Sequence, residues 1–390
     1  MTDHAPVVAH VVGARPNFVK AAPVVAALGR SGVHQLVIHT GQHYDPVLSD
    51  VFFRDLGLPD PDVNLGVGSG SPMGQTAALL VPLERELAAT RPALTIVYGD
   101  VNSTLAAALA ATKLGLRLAH IEAGLRSFDE SMPEEMNRRI TDQLADLLFV
   151  TSPEGIDNLA AEGIAGDGVH FVGNPMIDTL FDNLDRFDPS AIRSTLALPE
   201  RYAVATIHRP GNVDDPARAT EIAAMLRAVA AVIPLVLPLH PRGRGTLRAA
   251  GLAADERLVI IDALGYLDFL SLVRGATLVV TDSGGVQEET TALGVPCLTV
   301  RPNTERPITI SHGTNRLVEP GAVAAAAAAI VADGLPPVTE PPPLWDGHAG
   351  ERIAAIIARW LRAPAARVAG RGPAGAGGPF AAVPPAGAPR

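Results

Sequence analysis

VVAHVVGARPNFVKAAPVVAAL, residues 7–28, has the pattern of a buried β-strand followed by a tight turn and a helix. The run Val7–Val12 is almost continuously apolar, which is typical of a strand covered on both faces of a parallel sheet. Pro16 suits the first turn of the helix that follows. A helix beginning at a strand end presents unpaired N–H groups and the positive end of its dipole. Arg15 and Lys20 beside this turn therefore predict an anion-binding site, although two solvated cations at a plain turn would give the same pattern.

Strands and helices alternate along the whole chain in two series, which predicts an α/β fold with two doubly wound parallel sheets. After Val7–Val12, the first series has predicted strands at Gln35–Thr40, Leu94–Tyr98, Arg117–Ile121 and Leu147–Thr151. The second series has predicted strands at Tyr202–Ile207, Leu235–Leu239, Leu258–Ile261, Thr277–Thr281 and Pro296–Val300. Helices are predicted near Pro16–Leu28, Pro72–Ala89, Asn102–Leu114, Glu134–Leu144, Ala217–Val232, Tyr266–Val273, Gly285–Leu293, Ala322–Ala332 and His348–Leu361. Two such units imply a cleft between them, with ligands beyond the carboxyl ends of the strands.

The domain boundaries follow from this rhythm. We expect one unit over residues 1–178 and a second over 179–346, with Asp178–Pro199 carrying the crossover between them. A last helix is expected within residues 347–362. The tail 363–390 is rich in Pro, Ala and Gly and is predicted to be disordered.

Composition narrows the class of protein. The chain has 390 residues, 47% hydrophobic and 18% charged, with a formal net charge of −10, which argues against nucleic acid as the main partner. No apolar run is long enough to cross a membrane, and the N-terminus has no signal-peptide pattern, so we expect a cytoplasmic protein. The lone Cys297 cannot form an internal disulfide. No spacing of His, Asp and Glu suggests a metal site.

A second strand-to-helix junction carries DSGGVQEE, residues 282–289. Ser283 can cap the helix, and Gly284 and Gly285 let backbone N–H groups approach a diphosphate closely. Glu288 and Glu289 lie one turn further in, where a carboxylate can accept hydrogen bonds from a ribose. The alternative is a helix cap with two first-turn acids that favour the dipole.

Acidic residues follow several predicted strands. Asp100, Glu122 and Glu134 would meet at one rim if their strands are neighbours, and three carboxylates at one rim suggest proton transfer. Each also has a structural interpretation, since Asp100 may cap the helix beginning at Asn102 and Glu134 may favour its own helix N-terminus.

Two histidines end strands of the second unit. His208, with Arg209 beside it, follows Tyr202–Ile207, and His240 follows Leu235–Leu239. A histidine at such a position can act as acid, base or charge stabiliser near neutral pH.

Together these strings resemble the non-hydrolysing UDP-N-acetylglucosamine 2-epimerase family. They run in family order over about residues 7–320: GARPNFVKAAPV (13–24), TGQHYD (40–45), YGDVNSTLAAALAA (98–111), HIEAGLRSFDESMPEEMNRR (120–139), VGNPMIDTL (172–180), IHRPGNVDD (207–215), TDSGGVQEETTALGVPCL (281–298) and TERP (304–307). The resemblance implies a glycosyltransferase-B-type fold of two Rossmann-like domains, with the last helix packing back on the first. It implies a homodimer that serves cell-surface polysaccharide biosynthesis and uses no metal or nicotinamide cofactor. The implied reaction inverts C2 of a UDP-N-acetylhexosamine by eliminating UDP and adding it back through a 2-acetamidoglucal.

The resemblance also implies roles for individual residues. Those matching the catalytic set are Asp100, Glu122, Glu134 and His208. Those matching substrate contacts are Arg15, Lys20, Arg209, His240, Phe269, Ser283, Gly284, Gly285, Glu289 and Arg306. Gln42 and His43, with Arg209, match an allosteric UDP-sugar site of some bacterial members.

This sequence departs from the family pattern at a few positions. Asn17 stands where Glu is common, and Pro210-Gly211-Asn212 replaces the usual continuation of the His-Arg motif. Gly74 stands where the activated members have a basic residue, so the allosteric site lacks one of its charges.

Several functions remain open at this point. A hydrolysing epimerase would release N-acetylmannosamine and UDP, and the substrate could be a modified UDP-N-acetylhexosamine. A glycosyltransferase on the same fold, or a UDP-sugar sensor without turnover, is less compatible with the acidic set of Asp100, Glu122 and Glu134. The sequence does not assign which carboxylate removes the C2 proton.

Overall fold

The computed structural model describes residues 6–41, 53–239, 241–335, 338 and 340–362. The predictions for Gln42, His43, His240 and the tail beyond residue 362 lie outside these described residues.

In the described part of the chain, thirteen strands form two sheets, and all of the observed strand pairs are parallel. The strands are β1 (Val7–Val12), β2 (His34–His39), β3 (Val63–Asn64), β4 (Leu94–Tyr98), β5 (Leu118–Ala123), β6 (Leu147–Val150), β7 (Val169–Phe171), β8 (Ala203–Thr206), β9 (Leu235–Leu239), β10 (Leu258–Asp262), β11 (Leu278–Thr281), β12 (Cys297–Thr299) and β13 (Asn315–Leu317). The first sheet has the order β3-β2-β1-β4-β5-β6-β7, and the second has the order β10-β9-β8-β11-β12-β13. The predicted α/β fold with two parallel sheets is confirmed.

Helices cover these sheets. They are α1 (Arg15–Arg30), α2 (Pro72–Thr90), α3 (Asn102–Lys113), α4 (Pro133–Leu144), α5 (Pro153–Ala161), α6 (Pro175–Asp182), α7 (Pro189–Thr195), α8 (Pro210–Val213), α9 (Pro216–Val232), α10 (Pro241–Ala249), α11 (Tyr266–Arg274), α12 (Gly284–Leu293), α13 (Ile308–Ser311), α14 (Pro320–Asp333) and α15 (Ala349–Arg362). Many begin with proline in the first turn, where its missing N–H costs no hydrogen bond. Within the described ranges, no helix is both long and apolar enough to span a bilayer.

The sequence pattern missed the shortest elements. β3, β7 and β13 have two or three residues and are only partly buried, so they form no apolar run. The helices α5, α6, α7, α8, α10 and α13, which have four to nine residues, were also missed, whereas α11 with nine residues was predicted. The domain boundary expected between residues 178 and 179 falls inside α6.

The strand order reverses once in each sheet, between β1 and β4 in the first and between β8 and β11 in the second. At such a reversal, the connections that leave the two adjacent strands run to opposite faces of the sheet. This leaves a crevice at the carboxyl ends of the two strands. The turns that leave these four strands carry Arg15, Asp100, His208 and Ser283.

The last helix lies on the first sheet's helical layer. α15 packs against α1, and Gly350 approaches the backbone of Pro23 so closely that a Cβ would lie 2.8 Å from its carbonyl oxygen. The Asp178 carboxylate accepts from the N–H groups of Ala349 and Gly350, at 3.1 and 2.6 Å, at the start of α15. Since α6 carries Asp178 and also contacts α12, this region joins the two sheets.

Candidate active site

Glu122 stands at a break in strand β5. Its φ is +75°, and the register with β6 shifts between Ile121 and Ala123. A left-handed conformation in a residue with a side chain costs about 1–3 kcal/mol and is commonly found at functional sites. The side chain is buried, with the residue 3% exposed.

Two cations hold the Glu122 carboxylate. Lys20 Nζ, from α1, donates to Oε2, and Arg306 Nη2 donates to Oε1 at 2.9 Å. Lys20 lies on the first sheet's side, whereas Arg306 lies between β12 and β13 of the second, so the three charges meet where the two units face each other. Both cations matched substrate contacts by resemblance, and the structure places both directly on the candidate catalytic carboxylate.

Arg306 lies among further carboxylates. Its Nη1 donates to Glu305, and its Nε lies 3.0 Å from Glu288 Oε1. Burial alone would lower the pKa of Arg306, but Glu288, Glu305 and Glu122 outweigh it and raise the pKa, so the guanidinium stays charged. Gly284 leaves room for this group, because a Cβ there would lie 2.3 Å from Arg306 Nη1.

Glu288 and Glu289 lie in the second turn of α12, so the alternative of two first-turn acids is wrong, and both are protonated more readily than usual. Burial, followed by the charge of Glu122, raises the pKa of Glu288 to about 7, although Arg306 opposes this. Burial, followed by the charge of Glu288, raises the pKa of Glu289 to about 8. Groups of this kind can hold or release a proton near neutral pH.

Asp100 pairs with an arginine that the sequence motifs left without a role. Arg138 Nη2 and Nε donate to Asp100 Oδ2 at 2.6 and 3.1 Å, and Arg138 Nη1 donates to Glu135 at 2.6 Å. Burial would raise the pKa of Asp100, but Arg138 and Lys20 outweigh it and hold the pKa below its usual value. The alternative interpretation of Asp100 as a helix cap is wrong, because Val101 is the N-cap of α3.

Glu134, on the first unit, is one of the charges that surround Arg209 on the second. Glu134 lies half-buried in the first turn of α4. Burial, followed by the charge of Arg301, lowers the pKa of Arg209, and the charges of Glu305 and Glu134 partly offset this. Arg209 Nη1 lies 3.7 Å from the sulfur of Met132, the residue that precedes α4.

Asp282 organises the turn that carries His208. The backbone N–H of Arg209 and the side chain of Asn212 donate to Asp282 Oδ2 at 2.9 and 3.0 Å. The N–H of His208 also donates to this carboxylate, and His208 Nδ1 lies 3.3 Å from Oδ1. The His208 side chain is 43% exposed, so the imidazole is held on one side and accessible on the other.

The N-termini of α12 and α1 differ in the hydrogen bonds that side chains make to them. Ser283 occupies the N-cap of α12 as expected, but its side chain makes no capping bond, which corrects that part of the prediction. At α1, Asn17 Oδ1 accepts from the N–H groups of Gly13 and Ala14, and Asn17 Nδ2 donates to the Tyr98 carbonyl at 2.7 Å. Asn17 thereby braces the first turn against β4.

Three expected nucleotide contacts lie at the same strand ends. Arg15 is half-buried in the first turn of α1, and Phe269 is half-buried in the first turn of α11. Gly285 is the second residue of α12, and a Cβ there would make ordinary contact with Met176 at 3.5 Å. Over the described ranges, no group of three or more His, Cys, Asp or Glu side chains is arranged to hold a metal ion.

Sequence reasoning missed several of these residues. Arg138 lies three positions after Glu135 on a helix, a spacing that brings side chains together and that the PEEMNRR string contains. Glu305, within the TERP string, and Asp282, within DSGG, were quoted for the resemblance without a role of their own. Arg301 pairs with Glu305 at 2.7 Å. Nothing in the sequence indicated a role for Arg301 except its position after β12.

Comparisons with known proteins agree with this geometry. The family described as UDP-N-acetylglucosamine 2-epimerase matches residues 26–358. A UDP-N-acetylglucosamine 2-epimerase of Methanocaldococcus jannaschii is 38% identical over 318 residues, which cover 79% of this chain and 87% of the relative. A UDP-2,3-diacetamido-2,3-dideoxy-D-glucuronate 2-epimerase of Pseudomonas aeruginosa is 42% identical over 311 residues, with the same shares covered.

Solved structures extend the likeness to the whole fold. The crystal structure of the Methanocaldococcus jannaschii UDP-GlcNAc 2-epimerase in complex with UDP-GlcNAc and UDP has a TM-score of 0.85 and 36% identity. It covers 90% of this chain and 99% of its own. The predicted glycosyltransferase-B-type fold of two Rossmann-like domains is confirmed by these neighbours. The chain belongs to the non-hydrolysing UDP-N-acetylglucosamine 2-epimerase family.

Proposed function

We propose that this protein catalyses the reversible C2 epimerisation of UDP-N-acetylglucosamine to UDP-N-acetylmannosamine through a 2-acetamidoglucal. The observation that carries the proposal is the Glu122 carboxylate at the meeting point of the two units, in contact with Lys20 and Arg306. Asp100 lies close enough for both cations to lower its pKa. A buried group of carboxylates and cations can move a proton and stabilise the charge that develops as a diphosphate leaves.

The proposed reaction consists of an elimination of UDP and the return addition of UDP. A base removes the proton at C2, the C–H electron pair forms the C1–C2 double bond, and the C1–O pair departs with UDP. In the return step, UDP oxygen attacks C1 while an acid protonates C2 from the opposite face. We assign these proton transfers to the set of Asp100, Glu122, Glu134 and His208.

UDP binding is assigned to the strand ends on both sides of the cleft. Arg15 supplies a guanidinium for the diphosphate, and the start of α12 supplies Ser283 and the backbone N–H groups of Gly284 and Gly285, to which the Ser283 side chain makes no capping bond. Phe269 is proposed on the uracil side, and Glu289 at the ribose. Arg209 and His240 complete the proposed substrate contacts. Gln42, His43 and Arg209 are proposed for an allosteric UDP-sugar site.

Solvent deuterium tests the reaction. We expect incubation with UDP-N-acetylglucosamine in heavy water to place deuterium at C2 of both UDP-sugars, as followed by NMR. An epimerised product that keeps its original C2 hydrogen would refute proton exchange with a protein carboxylate. Accumulation of free N-acetylmannosamine with UDP would favour the hydrolysing alternative.

The names of two relatives suggest a second candidate substrate. The Pseudomonas aeruginosa relative is named for a 2,3-diacetamido-glucuronate and is slightly more identical than the Methanocaldococcus jannaschii relative named for N-acetylglucosamine. We therefore include a modified UDP-N-acetylhexosamine as the second candidate substrate. Parallel assays with both UDP-sugars at equal concentration decide between them by the ratio of kcat/KM.

A homodimer is proposed from the surface of the first unit. Met73 and Val81 on α2 and Met136 and Ile140 on α4 are large apolar side chains that are exposed. A groove of about 690 Å³ runs along α4 beside Met136 and Ile140. Because large apolar patches are uncommon on monomer surfaces, a second copy is the partner that we propose for this face. Sedimentation of wild type and Met136→Glu tests it, since a dimer through this face becomes monomeric in the variant.

The cytoplasmic location stays a prediction from the sequence.

A further inference from the structure

His120 and Asp142 form a fully buried pair that the proposed mechanism does not use. His120 Nδ1 lies 2.6 Å from Asp142 Oδ1, and His120 Nε2 lies 2.8 Å from the carbonyl oxygen of Gly99. Both side chains are 0% exposed. A carbonyl oxygen only accepts hydrogen bonds, so Nε2 carries a hydrogen and the imidazole orientation is fixed on both sides. The pair is therefore a rigid connection between β5 and α4.

The Gly99 end of this connection sets the position of Asp100. The N–H of Gly99 donates to the Ile121 carbonyl at 2.9 Å, and its carbonyl accepts from His120, so both polar groups of this residue are held by β5. Gly99 has a φ of +60°, and a Cβ there would lie 3.0 Å from Glu122 Oε2. Any shift of this glycine would move the neighbouring Asp100 relative to Glu122.

The Asp142 end holds the turn on the other side of Glu122. Asp142 Oδ2 accepts from the N–H of Gly124 at 3.1 Å and lies 2.7 Å from Arg126 Nη1. Gly124 has a φ of +82°, and it follows the strained Glu122 by two residues. Asp142 itself belongs to α4, the helix that also carries Glu134 and Arg138.

We propose that His120 and Asp142 are positioning residues of the epimerisation. One buried pair fixes the turn after β4, the break in β5 and the helix α4, and these segments carry the three candidate carboxylates. This proposal rests on the proposed function, because it concerns the relative placement of the groups that transfer protons. Displacement of such groups by about 1 Å can cost about 100-fold in rate even when the substrate still binds.

Two amide substitutions at His120 each keep a different one of its two hydrogen bonds. In His120→Asn the amide nitrogen takes approximately the place of Nδ1, so the bond to Asp142 is kept and the bond to Gly99 is lost. In His120→Gln the amide nitrogen reaches approximately the place of Nε2, so the bond to Gly99 is kept. We expect His120→Asn to lower kcat by about 100-fold, with KM and the Kd of UDP unchanged. We expect His120→Gln to retain more of the wild-type kcat.

His10 provides a matched control in the same sheet. It is also 0% exposed, and its ring nitrogens lie 2.7 Å from Tyr98 Oη and 2.9 Å from Gln35 Oε1. His10→Asn and His10→Gln therefore disrupt an equally buried, doubly bonded histidine without releasing Gly99. We expect these controls to lower Tm comparably while kcat, measured where each protein is folded, stays at the wild-type value.

The kinetics decide between positioning and simple stability. The proposal is overturned if His120→Asn loses no more kcat than His10→Asn does. It is also overturned if His120→Asn loses UDP affinity by the same factor as kcat. If His120→Asn does not fold, Asp142→Leu takes its place in the same assays, because leucine is of similar size and can bond neither His120 nor Gly124. Failure of both to fold beside folded His10 variants would make the pair a folding element and overturn the positioning role. Wild type without epimerase activity would instead overturn the proposed function.

Discussion

Glu122→Gln is the most informative single substitution, because it removes charge and basicity while keeping the size of the side chain. If Glu122 transfers a proton or stabilises charge in the elimination, turnover falls by about 10²–10⁴-fold, the range for lost acid–base catalysis. The amide oxygen can still accept one hydrogen bond, so the shape of the site is preserved.

The structure adds a cost in stability that the sequence does not predict. From sequence alone, a catalytic Glu122 would be replaced by Gln with little change in Tm. In the structure, the carboxylate is the partner of two buried cations, Lys20 and Arg306. Removing one member of a buried ion pair commonly costs about 3–5 kcal/mol, and we expect about 2–3 kcal/mol here because Arg306 keeps Glu305 and Glu288. A fall in Tm therefore does not argue against catalysis.

The assay must separate these two effects. Turnover and deuterium incorporation at C2 are measured at a temperature where circular dichroism shows the variant folded. Asp178→Asn is the control, because it also alters a buried carboxylate, one that accepts from the N–H groups of Ala349 and Gly350 away from the cleft. We expect the control to keep turnover whatever its change in Tm, since burial raises the pKa of Asp178 to about 6 and the folded protein therefore disfavours its charge. Equal turnover in the two variants would refute an obligatory role for Glu122 and move it to Asp100 or Glu134.

Three further predictions concern the surrounding charges. Arg15→Ala should weaken UDP binding by about 1.5–3 kcal/mol in calorimetry, whereas Lys113→Ala, at the exposed end of α3, should not; equal affinities would remove Arg15 from the site. Arg138→Lys should lower kcat by about 10–100-fold because the two-nitrogen contact is lost, while Arg139→Lys on the exposed side of α4 serves as its control and should match wild type. The pKa of Glu289 rises from 4.5 to about 8 on folding, so its contribution to stability is present below pH 4.5 and is lost as pH rises toward 8. Tm measured against pH should fall less steeply over that interval in Glu289→Gln, and an unchanged slope would contradict the shift.

The sequence predicted the fold because strand burial and helix starts are local signals. The pattern of residues 7–28 placed β1, the turn and α1 to within two residues of their observed bounds. The switch between β1 and β4 then follows from the rules of parallel sheets, and it brings Arg15 and Asp100 to one crevice.

The partners of the charged residues were not predictable in the same way. Arg306 and Glu122 are 184 residues apart, and their contact depends on how the two units pack. The left-handed conformation of Glu122 is equally non-local, because a break in β5 and the bond from Gly124 to Asp142 hold it. No propensity scale favours glutamate at that φ, and the sequence pattern predicted only that the strand ends at Ile121, just before Glu122.

The contacts between the two units suggest why catalysis and stability are difficult to alter separately in this protein. Glu122 and Arg306 connect the units directly, and Asn174, which caps α6, donates to Glu288 at 3.0 Å from the segment between the two sheets. Glu288 in turn pairs with Arg306, so both of these contacts between the units end on the same guanidinium. A substitution that weakens this junction changes the charge beside the candidate catalytic carboxylate. Conversely, a change made for its effect on proton transfer removes a bond between the units.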